Sequence, residues 1–296
     1  MRQSLRFPAV LHRTLLASID HDCLNIAQSA AYSAMVALFP ALIVVAAIVS
    51  QLPDTTPIRL ELAEFFSRIL PGDVSPLLDS YFASSPSGGH STQALLLAFL
   101  VSLTGASSVI ATLMEGFRRA YDLPPDCWGF WRRRRRAFLL VPLSVIPFIV
   151  ASLLIVFGHI ITEWLAAHLS GSARTSFFIV TLLIRWTVAL TGSIGLIALI
   201  YHMGIPVRPS VKRVLPGAIV ATALWFPSTL AFGWYVTRFA NYSQVYGSLG
   251  VGIALLFWLY IISFSILCGA EFNVQFHEHF FLLPQTPPTP DMPSHG

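Results

Sequence analysis

Long apolar segments alternate with short polar ones along most of this chain. Six segments contain no Asp, Glu, Lys or Arg, and each exceeds the roughly 20 residues that a helix needs to cross a hydrocarbon layer of ~30 Å. Trimming their polar ends predicts six membrane-spanning helices. These predicted spans cover residues 30–51, 94–116, 137–162, 178–203, 214–237 and 247–275.

The segments outside the spans have patterns of their own. Residues 9–28 carry apolar side chains at helical spacing, which predicts an amphipathic helix along the membrane surface. We therefore assign residues 1–29 to an interfacial segment and residues 30–283 to the membrane domain. The loop 52–93 should contain a short amphipathic helix, and the proline-rich residues 284–296 should be disordered.

Composition supports an integral membrane protein. Hydrophobic residues make up 55% of the chain and charged residues 11%, and the mean hydropathy is +0.70. Soluble domains carry roughly 25% charged residues, so this chain lacks the polar surface that a water-exposed globule needs. The expected fold is an all-α, six-helix transmembrane bundle. The three cysteines are scattered, which favours neither a disulfide framework nor a paired-cysteine metal site.

The basic residues orient the bundle. With the N-terminus in the cytoplasm and Arg185 left aside as intramembrane, 13 basic residues fall inside and 4 outside. The positive-inside rule therefore predicts that both termini are cytoplasmic. Trp128 and Trp131 beside the arginine run are typical of an aromatic belt at headgroup depth.

The arginine run is also expected to contact anionic lipid headgroups at the cytoplasmic face. A nucleic-acid surface would need basic and stacking residues spread over a folded domain, and this loop is too short to form one. We therefore expect lipid partners and no nucleic acid. The residues concerned are Arg132, Arg133, Arg134, Arg135 and Arg136.

Catalytic signatures are missing from the sequence. It contains no HExxH, Walker A or GxSxG pattern. The clusters Asp20-His21-Asp22 and His277-Glu278-His279 consist of direct neighbours, which point around a helix rather than together. We expect these to be solvated interfacial residues, and we expect no enzyme activity, no cofactor and no metal site.

Polar residues inside the spans are candidate transport or gating residues, because ionisable groups are costly in the bilayer. Arg185 lies mid-membrane if its helix begins near Thr175, and at the outer interface if it begins near Leu182. Glu271 is expected to contact Arg118, Arg119 or the arginine run, either as a structural salt bridge or as a gate facing a cavity. Glycines in the sixth span allow either close packing or a broken helix. The candidate set is Arg185, Glu115, Glu271, Asn273, Tyr246, Gly247 and Gly250.

Several blocks of sequence together resemble a known family. They are AAYSAMVALFPALIVV (30–45), WRRRRRAFLL (131–140), YHMGIP (201–206), LPGAIVATALW (215–225) and YGSLGVGIALLFWLYIISFSILCGAEFN (246–273). They are similar to the YihY / virulence factor BrkB family of bacterial inner-membrane proteins. The resemblance implies a multi-pass inner-membrane protein in transport or envelope maintenance, with links to lipid export. Some members carry an old label, ribonuclease BN.

Two classes of function stay open at this stage. One is a proton-coupled or facilitative transporter, or an exporter, of a lipid or other amphiphile, with a groove near Arg185, the start of the sixth span, Glu115 and Glu271. The other is a membrane scaffold or partner subunit without transport, and a ribonuclease is a distant third. A homo-oligomer or a protein partner is compatible with either. A polar groove at midplane depth would favour the transporter, since a scaffold can pack solid.

Overall fold

The computed structural model describes residues 6–50, 92–127, 129–146, 172–238 and 242–280. Every regular element in these ranges is helical, which confirms the all-α prediction. A short 3-10 turn at Pro125–Cys127 precedes the fourth helix. The helices are α1 (Arg6–Asp20), α2 (Cys23–Ser50), α3 (Thr92–Ala120), α4 (described over 130–146), α5 (Ser172–Gly204), α6 (Val211–Arg238) and α7 (Tyr242–Phe280).

Five described helices are long and apolar enough to cross a membrane. Their candidate spans match the first, second, fourth, fifth and sixth predicted ones. The third predicted span, 137–162, begins in α4 and continues outside the described residues, so the count of six stays a prediction. The short helix predicted within 52–93 and the tail 284–296 also lie outside them. The five spans are Cys23–Val45, Leu95–Ala120, Trp186–Gly204, Val211–Tyr235 and Gly252–His277.

The predicted interfacial helix over 9–28 is wrong in its end point. α1 ends at Asp20, a turn follows, and the chain from Cys23 onward already belongs to the first spanning helix. Asp22 adopts φ 61, a left-handed conformation that aspartate tolerates better than most residues. The sequence hides this break because no glycine or proline marks it.

The sixth predicted span is one helix. α7 runs unbroken for 39 residues, so the glycines near its start do not interrupt it. At 1.5 Å per residue it is ~58 Å long, well beyond the hydrocarbon thickness. Pro40 in α2 and Pro216 and Pro227 in α6 likewise lie within continuous helices.

The buried core lies toward one end of the bundle. There α2 and α6 begin, α3, α5 and α7 end, and the arginine-rich segments flank them, so we call it the arginine end. α2 packs against both α3 and α7, α6 packs against α7, and α1 packs along α7. Toward the opposite end, many of the large apolar side chains that the structure describes are exposed, among them Leu97 and Ile253. The core at the arginine end includes Cys23, Ile26, Phe117, Tyr201, Val214 and Leu267.

Candidate functional site

A polar groove of about 440 Å³ opens between α2, α3 and α4 at the arginine end. Along α3 it extends from Arg119 to Ser108, which is ~16 Å of helix. The candidate membrane span within α3 is Leu95–Ala120, so the groove reaches from the end of that span to about its middle. Its polar lining consists of Asp22, Asn25, Ser29, Ser108, Thr112, Glu115, Arg119, Arg133 and Arg134.

Glu115 is shared among three arginines. Its Oε1 atom lies 2.7 Å from Nη2 of Arg118 and 3.6 Å from Nε of Arg119. Its Oε2 atom accepts a hydrogen bond from Nη1 of Arg133, at 3.0 Å. Arg119 also reaches Asp22, at 3.3 Å. One carboxylate therefore ties the end of α3 to the beginning of α4.

Arg134 has different surroundings. Its Nη1 donates to Oγ of Ser108 at 3.0 Å, and its Nη2 donates to the carbonyl oxygen of Thr104 at 3.3 Å. Its guanidinium also stacks over the Phe138 ring, 5.1 Å from the centroid. Within the described part of the chain, no carboxylate forms an ion pair with Arg134.

The arginine run thus divides by helical position. Arg133 and Arg134 are partly buried and line the groove, whereas Arg132 and Arg135 are exposed. Each residue turns 100° around a helix, so five consecutive arginines cannot share one surface. The sequence predicted the run as a single lipid-contacting segment, and only the fold separates its members.

Glu271 is fully buried near the end of α7. Its Oε1 atom lies 2.8 Å from Nδ1 of His21 and 3.6 Å from Sγ of Cys23, while its Oε2 atom has no hydrogen-bond partner among the described residues. Nε2 of His21 lies 3.5 Å from the exposed carboxylate of Asp122. The predicted contact of Glu271 with an arginine is wrong, because the turn between α1 and α2 covers that face of α7.

A second cleft, of about 400 Å³, opens beside this buried pair. Asp20, His21 and Asp122 line it together with Arg118 and Arg119, so His21 stands between the cleft and Glu271. Burial raises the pKa of Tyr121, which follows α3, and the Glu271 carboxylate raises it further.

Asn273 serves the packing of α6 on α7. Its Oδ1 accepts from the backbone N–H of Gly217 at 2.6 Å, and its Nδ2 donates to the carbonyl oxygen of Val214 at 3.2 Å. A Cβ atom at Gly217 would overlap the carbonyl oxygen of Gly269. The two backbones are therefore in contact, and Asn273 fixes their register one turn beyond.

Three other predicted residues are described only by their backbone. Arg185 is the fourteenth residue of α5, which begins at Ser172, before either predicted start. It lies ~24 Å along α5 from Tyr201, whose ring packs on Phe117 at the arginine end. Tyr246 and Gly247 lie in the first two turns of α7. The side chains of Arg185 and Tyr246 and the surroundings of Gly247 are not among the parts that the structure describes.

The sequence predicted a single groove near Glu115, Glu271, Arg185 and the start of the sixth span. The structure corrects this prediction, because Glu115 and Glu271 do not share a groove. Glu115 lines the observed groove, whereas Glu271 lies in a separate buried cluster with His21 and Cys23. Gly250 belongs to the first three turns of α7 and does not line the groove either.

Sequence reasoning missed the roles of His21, Cys23 and Asp122. The only sequence signal was Asp20-His21-Asp22, which was expected to be solvated. The left-handed turn directs His21 toward α7 and Asp22 toward Arg119, so these neighbours join different networks. Within the described ranges, no group of three or more His, Cys, Asp or Glu residues could hold a metal ion.

Comparison with known proteins decides the family. A family model described as virulence factor BrkB matches residues 15–291. The chain belongs to the virulence factor BrkB family. This confirms the resemblance that the sequence blocks carried, and it extends over nearly the whole chain.

Individual relatives are similar over most of their length. A ribonuclease-like protein, YfkH of Bacillus subtilis (strain 168), is 29% identical over 267 residues, which cover 90% of this chain and 94% of that protein. A UPF0761 membrane protein of Tolumonas auensis is 27% identical over 283 residues, which cover 93% and 87%. Another, of Alteromonas mediterranea, is 28% identical over 254 residues, which cover 84% and 81%. No solved structure matches the chain.

Proposed function

We propose that this membrane protein moves a lipid or other amphiphile across, or out of, the bacterial inner membrane. The observation that carries the proposal is the groove between α2, α3 and α4. It is polar toward the arginine end and enters the depth of a candidate membrane span. A bundle that served only as a scaffold would have no need to keep costly charged groups at this depth.

The walls of the groove change character along the helices. Beyond Ser29 on α2 and Ser108 on α3, further from the arginine end, these helices continue with exposed apolar side chains. An amphiphile needs both surfaces, a polar one for its headgroup and an apolar one for its chains. The apolar continuation includes Val36, Leu97, Leu100 and Val101.

The decisive experiment measures lipid movement in proteoliposomes. The purified protein is reconstituted with a trace of fluorescent phosphatidylglycerol, and dithionite added outside reports the fraction that reaches the outer leaflet. Ala111 lines the groove, so Ala111→Phe should fill it and slow translocation about tenfold, a barrier change of ~1.4 kcal/mol. Ala223→Phe, on an exposed face of α6, is the matched control and should translocate normally.

Two results would contradict the transport proposal. One is translocation no faster than in protein-free liposomes. The other is an equal rate in Ala111→Phe and Ala223→Phe, which would show that the groove is not the path. Either result would favour the scaffold, in which the exposed Arg132 and Arg135 recruit anionic lipid or a protein at the membrane surface.

We also propose that the chain has no enzymatic activity, although one relative is named ribonuclease-like. Phosphodiester hydrolysis needs a metal-binding cluster or a paired acid and base aimed at one substrate atom. RNA cleavage by the purified protein that is lost on replacing Asp20 or His277 would contradict this proposal.

A further inference from the structure

Positive charge exceeds negative charge in the groove. Its lining contains three arginines, Arg119, Arg133 and Arg134, but only two carboxylates, Asp22 and Glu115. Arg118, outside the lining, also pairs with Glu115 and adds a further positive charge. With Arg118 counted, four arginines face two carboxylates, and this excess of positive charge favours an anion in the groove.

The ion pairs show where the imbalance lies. Asp22 is engaged by Arg119, and Glu115 is divided among Arg118, Arg119 and Arg133. That leaves Arg134, which contacts only neutral oxygens and an aromatic ring within the described part of the chain. It is the arginine that reaches furthest along α3, to the level of Thr104.

A guanidinium at this depth is unfavourable unless an anion or water compensates it. Ser108, Thr104 and Phe138 hold the Arg134 side chain in place, so it is pre-organised rather than free to withdraw to the surface. A planar guanidinium donates two parallel hydrogen bonds to a phosphate or carboxylate. Arg134 is thus prepared for an anionic ligand.

We propose that the groove binds one lipid phosphodiester, with Arg134 as the cation that contacts the phosphate. This names the substrate class of the proposed transport function and rests on it. A phosphodiester carries one negative charge and two free oxygens, which suit the groove's one guanidinium that pairs with no carboxylate among the described residues. The acyl chains would follow the exposed apolar side chains of Val36, Leu97 and Leu100, a surface that free phosphate would not use.

Binding can be measured without any movement of lipid. Native mass spectrometry of the protein in mild detergent, titrated with phosphatidylglycerol, counts bound lipids per chain. Arg134→Gln should weaken the tightest site by about tenfold or more, because a hydrogen-bonded charge pair is lost. Arg135→Gln removes the same charge one residue away on an exposed position, and it should change this affinity less than about twofold.

Ligand controls separate the two sources of phosphate. Diacylglycerol has the same chains without a phosphate and should not occupy the site. Inorganic phosphate at millimolar concentration should not displace phosphatidylglycerol. If inorganic phosphate does displace it, or if it binds alone with similar affinity, the ligand is a free phosphate and the lipid assignment is wrong.

The variants decide the remaining outcomes. Equal weakening by Arg134→Gln and Arg135→Gln would mean that the run attracts lipid only as a charged surface, which overturns the site. Arg134→Lys keeps the charge but not the forked donors, so it should bind with intermediate affinity, and it serves as the test if Arg134→Gln does not fold. Binding that is intact without translocation would contradict the transport proposal alone.

Discussion

The Glu271 carboxylate connects α7 to the turn between α1 and α2 and to the first residue of α2. Its Oε1 atom is within hydrogen-bond distance of His21, in the turn between α1 and α2, while the backbone around it packs against α6. A buried carboxylate that loses its partner retains the full desolvation cost of a charge. The contact of His21 with buried Glu271 should therefore stabilise the fold more than the contact of its other ring nitrogen with exposed Asp122.

At the scale of residues, we expect His21→Ala to destabilise the protein by about 3 kcal/mol, since it leaves Glu271 buried without its closest partner. Thermal unfolding in detergent measures the change. Asp122→Asn alters the exposed side of the same imidazole and should change stability by less than about 0.5 kcal/mol.

A double variant tests the mechanism behind this prediction. Glu271→Gln combined with His21→Ala should destabilise less than the sum of the two single changes, because the neutral amide removes the uncompensated charge. Strict additivity would show that the two side chains do not interact. Glu271→Gln with intact folding but no translocation would assign Glu271 a role in transport.

At the scale of elements, the crossing of α6 and α7 depends on two glycines. Gly217 and Gly269 bring the backbones into contact, and Asn273 hydrogen-bonds to α6 beside them. Small residues permit such close approach between membrane helices, where packing rather than water exclusion drives association. This crossing also fixes the position of Glu271, two residues after Gly269 on α7.

We expect Gly217→Ala to separate the two helices and destabilise the protein by about 3 kcal/mol or more, because the added methyl group would overlap the backbone carbonyl oxygen of Gly269 as well as the Asn273 amide. Gly192→Ala, in α5, adds the same methyl group where no atom lies within 4 Å. It should be neutral or slightly stabilising. Thermal midpoints of the two variants provide the comparison, and equal values would contradict the proposed contact.

At the scale of the whole molecule, burial among the described residues is concentrated at the arginine end. The core residues Ile26, Phe117, Tyr201 and Leu267 all lie there, whereas apolar side chains in the first half of α7, such as Phe257, are exposed. The positive-inside rule predicts that the arginine end is cytoplasmic. The groove would then open from the cytoplasmic side.

Topology reporters test this orientation. Green fluorescent protein fused after residue 296 should fluoresce, because it folds in the cytoplasm. A cysteine placed at Ser87, in the predicted outer loop, should react with a membrane-impermeant maleimide in intact cells. The opposite pattern for both reporters would invert the molecule and turn the groove to the outside.

The membrane class, the all-α fold and most of the spans could be predicted from the amino-acid sequence. These follow from local properties, namely the length of apolar segments and the cost of exposing them to water. The same reasoning singled out Glu115, Glu271 and the arginine run, because charged groups are costly in or beside a hydrocarbon layer. Even the family could be recognised from short blocks such as 246–273.

Which of these groups contact one another became clear only from the packing of the helices. The sequence predicted similar membrane depths for Glu115 and Glu271. Glu115 nevertheless pairs with arginines of α3 and α4, whereas Glu271 contacts His21 and Cys23. Contacts between helices depend on rotation and on the left-handed turn at Asp22, and neither leaves a periodic signal in the chain. For the same reason, only the fold distinguishes Arg134 in the groove from Arg135 at the surface.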